Sequence, residues 1–279
     1  MEDLFSDAFI SLLKQISLEQ TFVKKLSGIS IGPIGLAMEK GTFLNLLSQL
    51  NSELKKKNKT AVIFIDEAQV LKEYGGDRLL AHINDMCENI IVVLAGSQVG
   101  LLDQFIGKEG TSPLFGRPKK IIEMKRLSRE KALIFLESGF EQAKKRVSYE
   151  ELKEAVSRFD GLVGWLTCYG YYRLKGDHVL ALSKVEEDGR EIIKSELLSF
   201  LSVKRKKKEY LIILEAIAKG LKRWSDIKTY VEGKLKKETA DSSFFRQLTT
   251  LLDYGFVEKD GEGYSLSDPI ISSLFTSKK

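Results

Sequence analysis

Cysteine, histidine and long apolar runs are scarce in this sequence. Its 279 residues include two cysteines, Cys87 and Cys168, and two histidines, His82 and His178. So few cysteines argue against a disulfide framework and for an intracellular protein, and no clustered Cys/His metal site can be drawn. No apolar run approaches the roughly 20 residues that span a bilayer, and the acidic start MEDLFSDAF differs from a signal peptide. We therefore expect a cytoplasmic protein with no membrane partner.

The net charge of +5 is modest and unevenly distributed. Residues 1–200 contain 28 basic and 28 acidic side chains, whereas residues 201–279 contain 16 basic and 11 acidic ones. The whole basic excess therefore lies in the C-terminal part, which indicates a separate module with an anionic partner.

One apolar run ends in two adjacent acids. Residues 61–69 read AVIFIDEAQ, and a β-branched run that ends in Asp66 and Glu67 is typical of a buried parallel strand with acids at its carboxyl end. In P-loop nucleotidases the Asp of such a strand holds Mg²⁺, and a following Glu can polarise the attacking water. The phosphate loop G-x-x-x-x-G-K-S/T does not occur in the sequence, since Gly107-Lys108 lacks the Ser/Thr and lies after the acidic strand.

The first half of the chain alternates between helical and strand patterns. Apolar residues at helical spacing predict helices over 4–16 and 77–88, and the acidic strand is followed by further strands over 90–95 and 121–124. Strands that alternate with helices of this length indicate an α/β fold with a parallel sheet. We therefore expect residues 1–127 to form a core with a three-stranded sheet.

The pattern becomes helical after this core. Helical periodicity without a strand predicts an all-helical domain over 128–203, and the basic run 204–208 is interpreted as a linker. The rest of the segment 204–279 shows three short helices and a β-hairpin with a turn at 260–263, which is the order of a winged helix.

Five short motifs occur together in one known family. They are Asp66-Glu67-Ala68-Gln69, Gly96-Ser97, residues 112–117 (SPLFGR), Gly161-Leu162-Val163-Gly164-Trp165-Leu166 and Asp268-Pro269. In this combination, which extends over nearly all of the chain, the sequence resembles the archaeal AAA+/STAND-type ATPases, relatives of the origin-recognition and Cdc6 group. The resemblance implies an α/β fold with a partial P-loop, AAA+-like parallel sheet, then an all-helical lid and a C-terminal winged-helix domain.

The resemblance also implies ATP and Mg²⁺ as cofactors and gives roles to single residues. Asp66 would coordinate Mg²⁺, and Glu67 would activate the attacking water. Ser97 or Gln98 would sense the γ-phosphate at the end of the neighbouring strand. Arg117 would approach phosphate charge as a finger or sensor arginine, a role that suits the guanidinium fork.

The lid of such a protein closes over the adenine, here through Gly161 and Val163, and ATP hydrolysis drives a conformational change. Two departures from the family bear on this role. The family's first strand, P-loop and second strand precede the region that matches Met1, and Val163 replaces a proline that contacts the base. Both departures predict impaired nucleotide binding by this chain alone, with another protein or chain as a possible source of the missing parts.

Two of these residues have structural alternatives. Ser97 could equally cap a helix over 99–106, and both roles can hold together. Arg117 lies between Gly116 and Pro118, so it could be a surface arginine on a turn.

A non-enzymatic DNA-binding or regulatory module is the alternative function. The expected recognition helix, residues 242–254, carries Arg246 and Gln247, and Lys236 and Lys237 precede it as candidate phosphate contacts. Acidic residues at both ends of this helix argue against DNA binding, so a winged helix for protein contact or self-inhibition is also open. A further alternative is a truncated gene product without a function of its own.

Overall fold

The computed structural model describes residues 40–107, 110 and 112–275. The helix predicted over residues 4–16 lies outside these ranges. The chain forms two compact units, residues 1–119 and 120–279. None of the helices in the described part of the chain is long and apolar enough to cross a membrane.

The first unit contains two parallel strands. Its elements are, in order, α1 (Lys40–Lys56), β1 (Ala61–Ile65), a 3₁₀ helix (Ala68–Tyr74), α2 (Gly76–Met86), β2 (Ile90–Leu94) and α3 (Val99–Phe105). The strands pair in register, from Ala61 opposite Ile90 to Ile65 opposite Leu94. The parallel pairing expected of the acidic strand and the strand after it is therefore confirmed.

One face of this small sheet is buried against the helices. Alternate strand residues join a core whose buried members include Leu47, Leu50, Leu54, Ala61, Leu80, Ile83, Ile90 and Phe105. The intervening strand residues Val62, Phe64, Ile91 and Val93 are exposed. Since the strands are parallel, their carboxyl ends share one edge of the sheet, and the residues that follow each strand meet there.

The prediction of a third strand over residues 121–124 is wrong. Residues 121–124 have no strand conformation, and Ile121, Ile122 and Met124 are exposed. A strand needs a neighbouring backbone for its N–H and C=O groups, and each described sheet has only two strands. The apolar residues of this segment are therefore insufficient to make it a strand.

The second unit consists of helices followed by a hairpin. Its elements are α4 (Arg129–Gln142), α5 (Tyr149–Phe159), α6 (Val163–Lys175), α7 (His178–Ser202), α8 (Lys207–Ala218), α9 (Trp224–Leu235), α10 (Asp241–Asp253), β3 (Val257–Asp260), β4 (Gly263–Leu266) and α11 (Pro269–Ser272). The strands β3 and β4 pair antiparallel. The predicted all-helical region and the order of three helices and a hairpin are confirmed.

A single hydrophobic core runs through the second unit. It joins residues of α4–α7, such as Phe159 and Tyr169, to residues of α8 and α10, such as Ile213 and Phe244. The basic run 204–208 is accordingly a short connection, because α8 already begins at Lys207. The helical region and the winged helix therefore pack as one body.

Two of the family motifs meet in this body. Trp165 Nε1 donates a hydrogen bond to Asp268 Oδ2 at 2.6 Å, and burial raises the pKa of Asp268. Gly161 adopts a φ of +71°, and a Cβ there would lie 2.1 Å from the carbonyl oxygen of Leu127. A side chain at Gly161 is excluded for both reasons, so this glycine has a structural role.

Candidate functional site

The acid pair lies directly after β1, on exposed backbone. Asp66 and Glu67 are both exposed, and Asp66 Oδ1 accepts a hydrogen bond from the backbone N–H of Glu67 at 2.9 Å. Glu67 has a left-handed conformation with φ 48° and ψ 43°, which turns the chain from the strand into the 3₁₀ helix. A non-glycine residue in this region is uncommon, and such residues often occur at functional sites.

The structure brings Glu67 and Ser97 together. Ser97 Oγ donates to Glu67 Oε1 at 2.9 Å across the carboxyl edge of the sheet. Backbone hydrogen bonds extend the strand pairing up to this point, from Ala68 N to Ala95 O at 2.9 Å and from Ala95 N to Ile65 O at 2.8 Å. The two motifs that follow the strands are thus parts of one site.

Gln69 is a member of this site that the sequence interpretation missed. Its Nε2 donates to Glu67 Oε2 at 2.5 Å, so both carboxylate oxygens of Glu67 accept a side-chain hydrogen bond. The signal was present as the last residue of the run Asp66-Glu67-Ala68-Gln69, but spacing along the chain does not show which way its amide turns.

Gln98 and Ser97 have different positions at the start of α3. Gln98 is the residue before the helix, and its side chain forms no capping hydrogen bond. The Ser97 hydroxyl is bonded to Glu67 and the Ser97 carbonyl accepts from Val99 N at 3.1 Å, so the capping role considered for its side chain is not observed.

Arg117 is not brought to the acid pair. Its guanidinium pairs with the carboxylate of Asp85 at 2.8 Å and 2.5 Å, and it also donates to the carbonyl of Pro113. The hydrogen bond from Arg117 lowers the pKa of Asp85. Asp85 lies in the last turn of α2, shortly before β2 begins, and therefore near the opposite edge of the strands from Glu67.

A single strand-end carboxylate matches what Mg²⁺ needs in a nucleotide site. Magnesium bound with nucleotide keeps several waters and takes one or two carboxylates together with phosphate oxygens. Asp66 is exposed and so can offer its oxygens in this way. Within the described ranges no group of three or more His, Cys, Asp and Glu side chains could enclose a metal without such partners.

The winged-helix candidates divide into exposed and buried residues. Arg246, Lys236 and Lys237 are exposed. Gln247 is 3% exposed, and its Nε2 donates to the carboxylate of Glu209, so its position does not fit the predicted DNA contact. The reason is that Gln247 lies on the face of α10 that packs against α8.

The two lid candidates lie in the second unit. Gly161 makes the close backbone contact described above, and its carbonyl accepts from Leu127 N at 3.0 Å. Val163 is the first residue of α6 and is 44% exposed. Their contact with an adenine remains a prediction.

Comparisons with known proteins agree with the fold. A family profile described as an ATPase domain predominantly from Archaea matches residues 3–167. A second profile, described as the C-terminal winged helix-turn-helix domain of MCM proteins, matches residues 204–267. No curated protein sequence is similar enough to count as a match.

Solved structures show the same similarity. A Walker-type ATPase of Pyrococcus abyssi is 26% identical with a TM-score of 0.78, over 96% of this chain and 75% of that one. The ORC2 protein of Aeropyrum pernix, solved as ADPNP and ADP complexes, is 16% identical with a TM-score of 0.53, over 83% of this chain and 67% of that one, and so shares the fold. The first family profile spans more than half of the chain, and the chain therefore belongs to this family of ATPase domains found predominantly in Archaea.

Proposed function

We propose that this chain provides the metal-binding and water-activating side of an ATP hydrolysis site. The observation that carries the proposal is the position of the Glu67 carboxylate, which Ser97 holds at the carboxyl edge of the parallel sheet, one residue after Asp66. Ligands of open α/β sheets bind at this edge, outside the carboxyl ends of the strands.

Each residue has a defined task in this proposal. Asp66 would hold Mg²⁺, and the ion would supply positive charge against the phosphates of the nucleotide. Glu67 accepts a proton from the water that attacks the γ-phosphorus. Its two oxygens each accept one hydrogen bond and keep a further lone pair for that proton. Ser97, and Gln98 beside it, are proposed to sense the γ-phosphate.

The phosphates need further contacts. The sequence contains no G-x-x-x-x-G-K-S/T loop, so we propose that another segment or another chain provides it. Arg117 is proposed to act on phosphate charge after release from Asp85, and Gly161 and Val163 to lie near the adenine. These assignments follow the family resemblance.

ATP hydrolysis is proposed to change the angle between the two compact units. The helical region and the winged helix share one core, so they would move together. The nucleotide state would thereby be passed from the acidic site to the winged helix as a rigid-body rotation.

The test is MgATP binding by calorimetry together with steady-state hydrolysis. We expect Glu67→Gln to lower kcat about 10²- to 10⁴-fold with little change in binding, because it removes the general base. Asp66→Asn should weaken Mg²⁺-nucleotide binding, because it removes the metal ligand. Glu73→Gln, an exposed acid on the following 3₁₀ helix, is the matched control. Hydrolysis unchanged in Glu67→Gln, or MgATP binding unchanged in Asp66→Asn, would refute the proposal.

A second candidate function, DNA binding, is favoured by one contact. Lys206 Nζ donates to Ser243 Oγ at 2.9 Å, which sets the basic run 204–208 beside the start of α10, where Arg246 is exposed. Phosphate contacts are then available from two elements next to each other. The acidic residues of the wing, such as Asp260, oppose this function.

Fluorescence anisotropy with a labelled duplex at several salt concentrations tests it. We expect Arg246→Ala and Lys236→Ala to weaken binding and each to reduce the salt slope by about 0.9 per lost phosphate contact. Lys184→Ala, which removes an exposed lysine paired with Glu187 on α7, is the control. Equal affinity and slope in all variants would exclude this surface.

A further inference from the structure

We infer that Gln69 is a positioning residue for the Glu67 carboxylate, and that Gly96 is glycine because the Gln69 amide occupies the space beside it. The inference rests on the proposed function of Glu67 as the general base. It concerns the residues that orient this base before the reaction.

Two donors from different elements hold the carboxylate. Gln69 reaches back from the first turn of the 3₁₀ helix to Oε2, while Ser97 reaches Oε1 from the end of β2. Because the backbone of Glu67 is left-handed, the side chain of Gln69, only two positions later, can contact the side chain of Glu67. With both oxygens bonded, rotation of the carboxylate about its last bond is restricted, although Glu67 itself is exposed.

The orientation of the Gln69 amide follows from its surroundings. Gln69 is 8% exposed, and its Oε1 has no hydrogen-bond partner in the described part of the chain. Exchange of oxygen and nitrogen would set Oε1 against the carboxylate oxygen of Glu67, and both are acceptors. A buried acceptor without a hydrogen-bond partner costs free energy. The fold accepts this cost at Gln69 Oε1, while the N–H of the same amide donates to Glu67.

Gly96 makes room for this amide. A Cβ at Gly96 would lie 2.4 Å from Gln69 Oε1 and 3.4 Å from Gln69 Cδ. Gly96 is absent from the residues with positive φ, so the backbone does not require glycine there. A Cβ at this position would therefore displace the end of the Gln69 side chain. The motif Gly96-Ser97 thus serves Glu67 twice: the glycine admits the amide, and the serine donates its hydroxyl.

A spectroscopic test examines the clamp without any catalysis. In the ¹⁵N-labelled full-length chain, the side-chain amide protons of Gln69 should exchange with water more slowly than those of Gln49, which is exposed on α1. Glu67→Gly, which suits the left-handed backbone, should shift the Gln69 amide resonances and accelerate their exchange. Resonances that resemble those of Gln49, or that do not respond to Glu67→Gly, would overturn the inference.

A kinetic test examines the consequence for the reaction. Gln69→Met keeps the side-chain volume but removes the donor, and Gly96→Ala displaces the amide. Both should lower kcat about tenfold with KM unchanged, because a misplaced base affects the chemical step and leaves nucleotide binding intact. Ser97→Thr keeps a hydroxyl and should retain more activity than Ser97→Ala.

The controls separate this inference from the proposed function. Gly139→Ala, on α4, has no atom within 4 Å of the added Cβ and should keep wild-type kinetics. Wild-type kcat in Gln69→Met, together with a Glu67→Gln variant that is inactive, overturns the role of Gln69 and leaves the proposed function intact. Full activity in Glu67→Gln refutes the proposed function, and the amide spectrum then decides the clamp by itself.

Discussion

The contact between Trp165 and Asp268 should contribute measurably to the stability of the second unit. It joins the helical region to the end of the winged helix, with Nε1 and Oδ2 at 2.6 Å. A hydrogen bond to a charged acceptor contributes about 1.5–3 kcal/mol, and Asp268 is half-buried. We therefore expect a coupling energy of about 2 kcal/mol in the double-mutant cycle of Trp165→Phe and Asp268→Ala.

Urea unfolding followed by tryptophan fluorescence measures this energy. The chain has two tryptophans, Trp165 and Trp224, and both lie in the second unit, so the signal reports this unit and Trp224 remains as a probe in Trp165→Phe. The matched control is the exposed pair Lys222 and Glu262, at 2.6 Å, whose cycle should give a much smaller coupling energy because solvent screens it. A coupling no larger than that of the control pair would refute the assignment of Trp165 and Asp268 as a stabilising contact.

The same carboxylate predicts a pH dependence. Burial raises the pKa of Asp268 above its ordinary value of 3.8, so the folded chain binds this proton more readily than the unfolded chain. The contribution of Asp268 to stability therefore increases as the pH falls through the folded pKa towards 3.8. The free energy of unfolding of wild type relative to Asp268→Ala should rise in this window, and a fall would mean that the pKa is lowered instead.

Two further predictions concern the same unit. Glu215 accepts hydrogen bonds from two lysines and a tyrosine, first from Lys219, which lower its pKa from 4.5 to about 2. Since the carboxylate is partly open to solvent, we expect Glu215→Gln to reduce the free energy of unfolding by about 1 kcal/mol at neutral pH. The difference between wild type and variant should vanish as the pH falls from 4.5 towards 2, and urea titrations at several pH values measure it. Gly161→Ala should lower the free energy of unfolding by about 2 kcal/mol or more, because Gly161 has a positive φ and lies against the backbone of Leu127. Gly139→Ala should not lower it, so equal thermal midpoints for the two variants would contradict the prediction.

The sequence by itself determined the elements whose signals are local. Continuous β-branched runs predicted the two parallel strands. The prediction that the strands are buried holds for one face only, since Phe64 and Ile91 are exposed. The acids after β1 were predicted at the carboxyl edge of the sheet from the strand pattern itself, whereas the role of Ser97 came from the family resemblance. Helical periodicity and a Gly-containing turn likewise predicted the helical region and the winged helix.

Tertiary structure decided everything that depends on which groups meet. Residues 121–124 have a strand-like pattern but form no strand, since a strand requires a partner that the pattern cannot reveal. Arg117 pairs with Asp85, and Gln247 points inward to Glu209, although both residue types are common on surfaces that bind phosphate.

The clearest case is the space between the two strand ends. The run that ends in Gln69 and the motif that begins with Gly96 are separated by more than twenty residues. The sequence of neither segment predicts that the two are in contact. Their contact exists only because β1 and β2 pair in register, which brings the Gln69 amide beside Gly96 and the Ser97 hydroxyl to Glu67. Local sequence thus determined which chemical groups are present at this edge, and long-range packing decided how they are oriented.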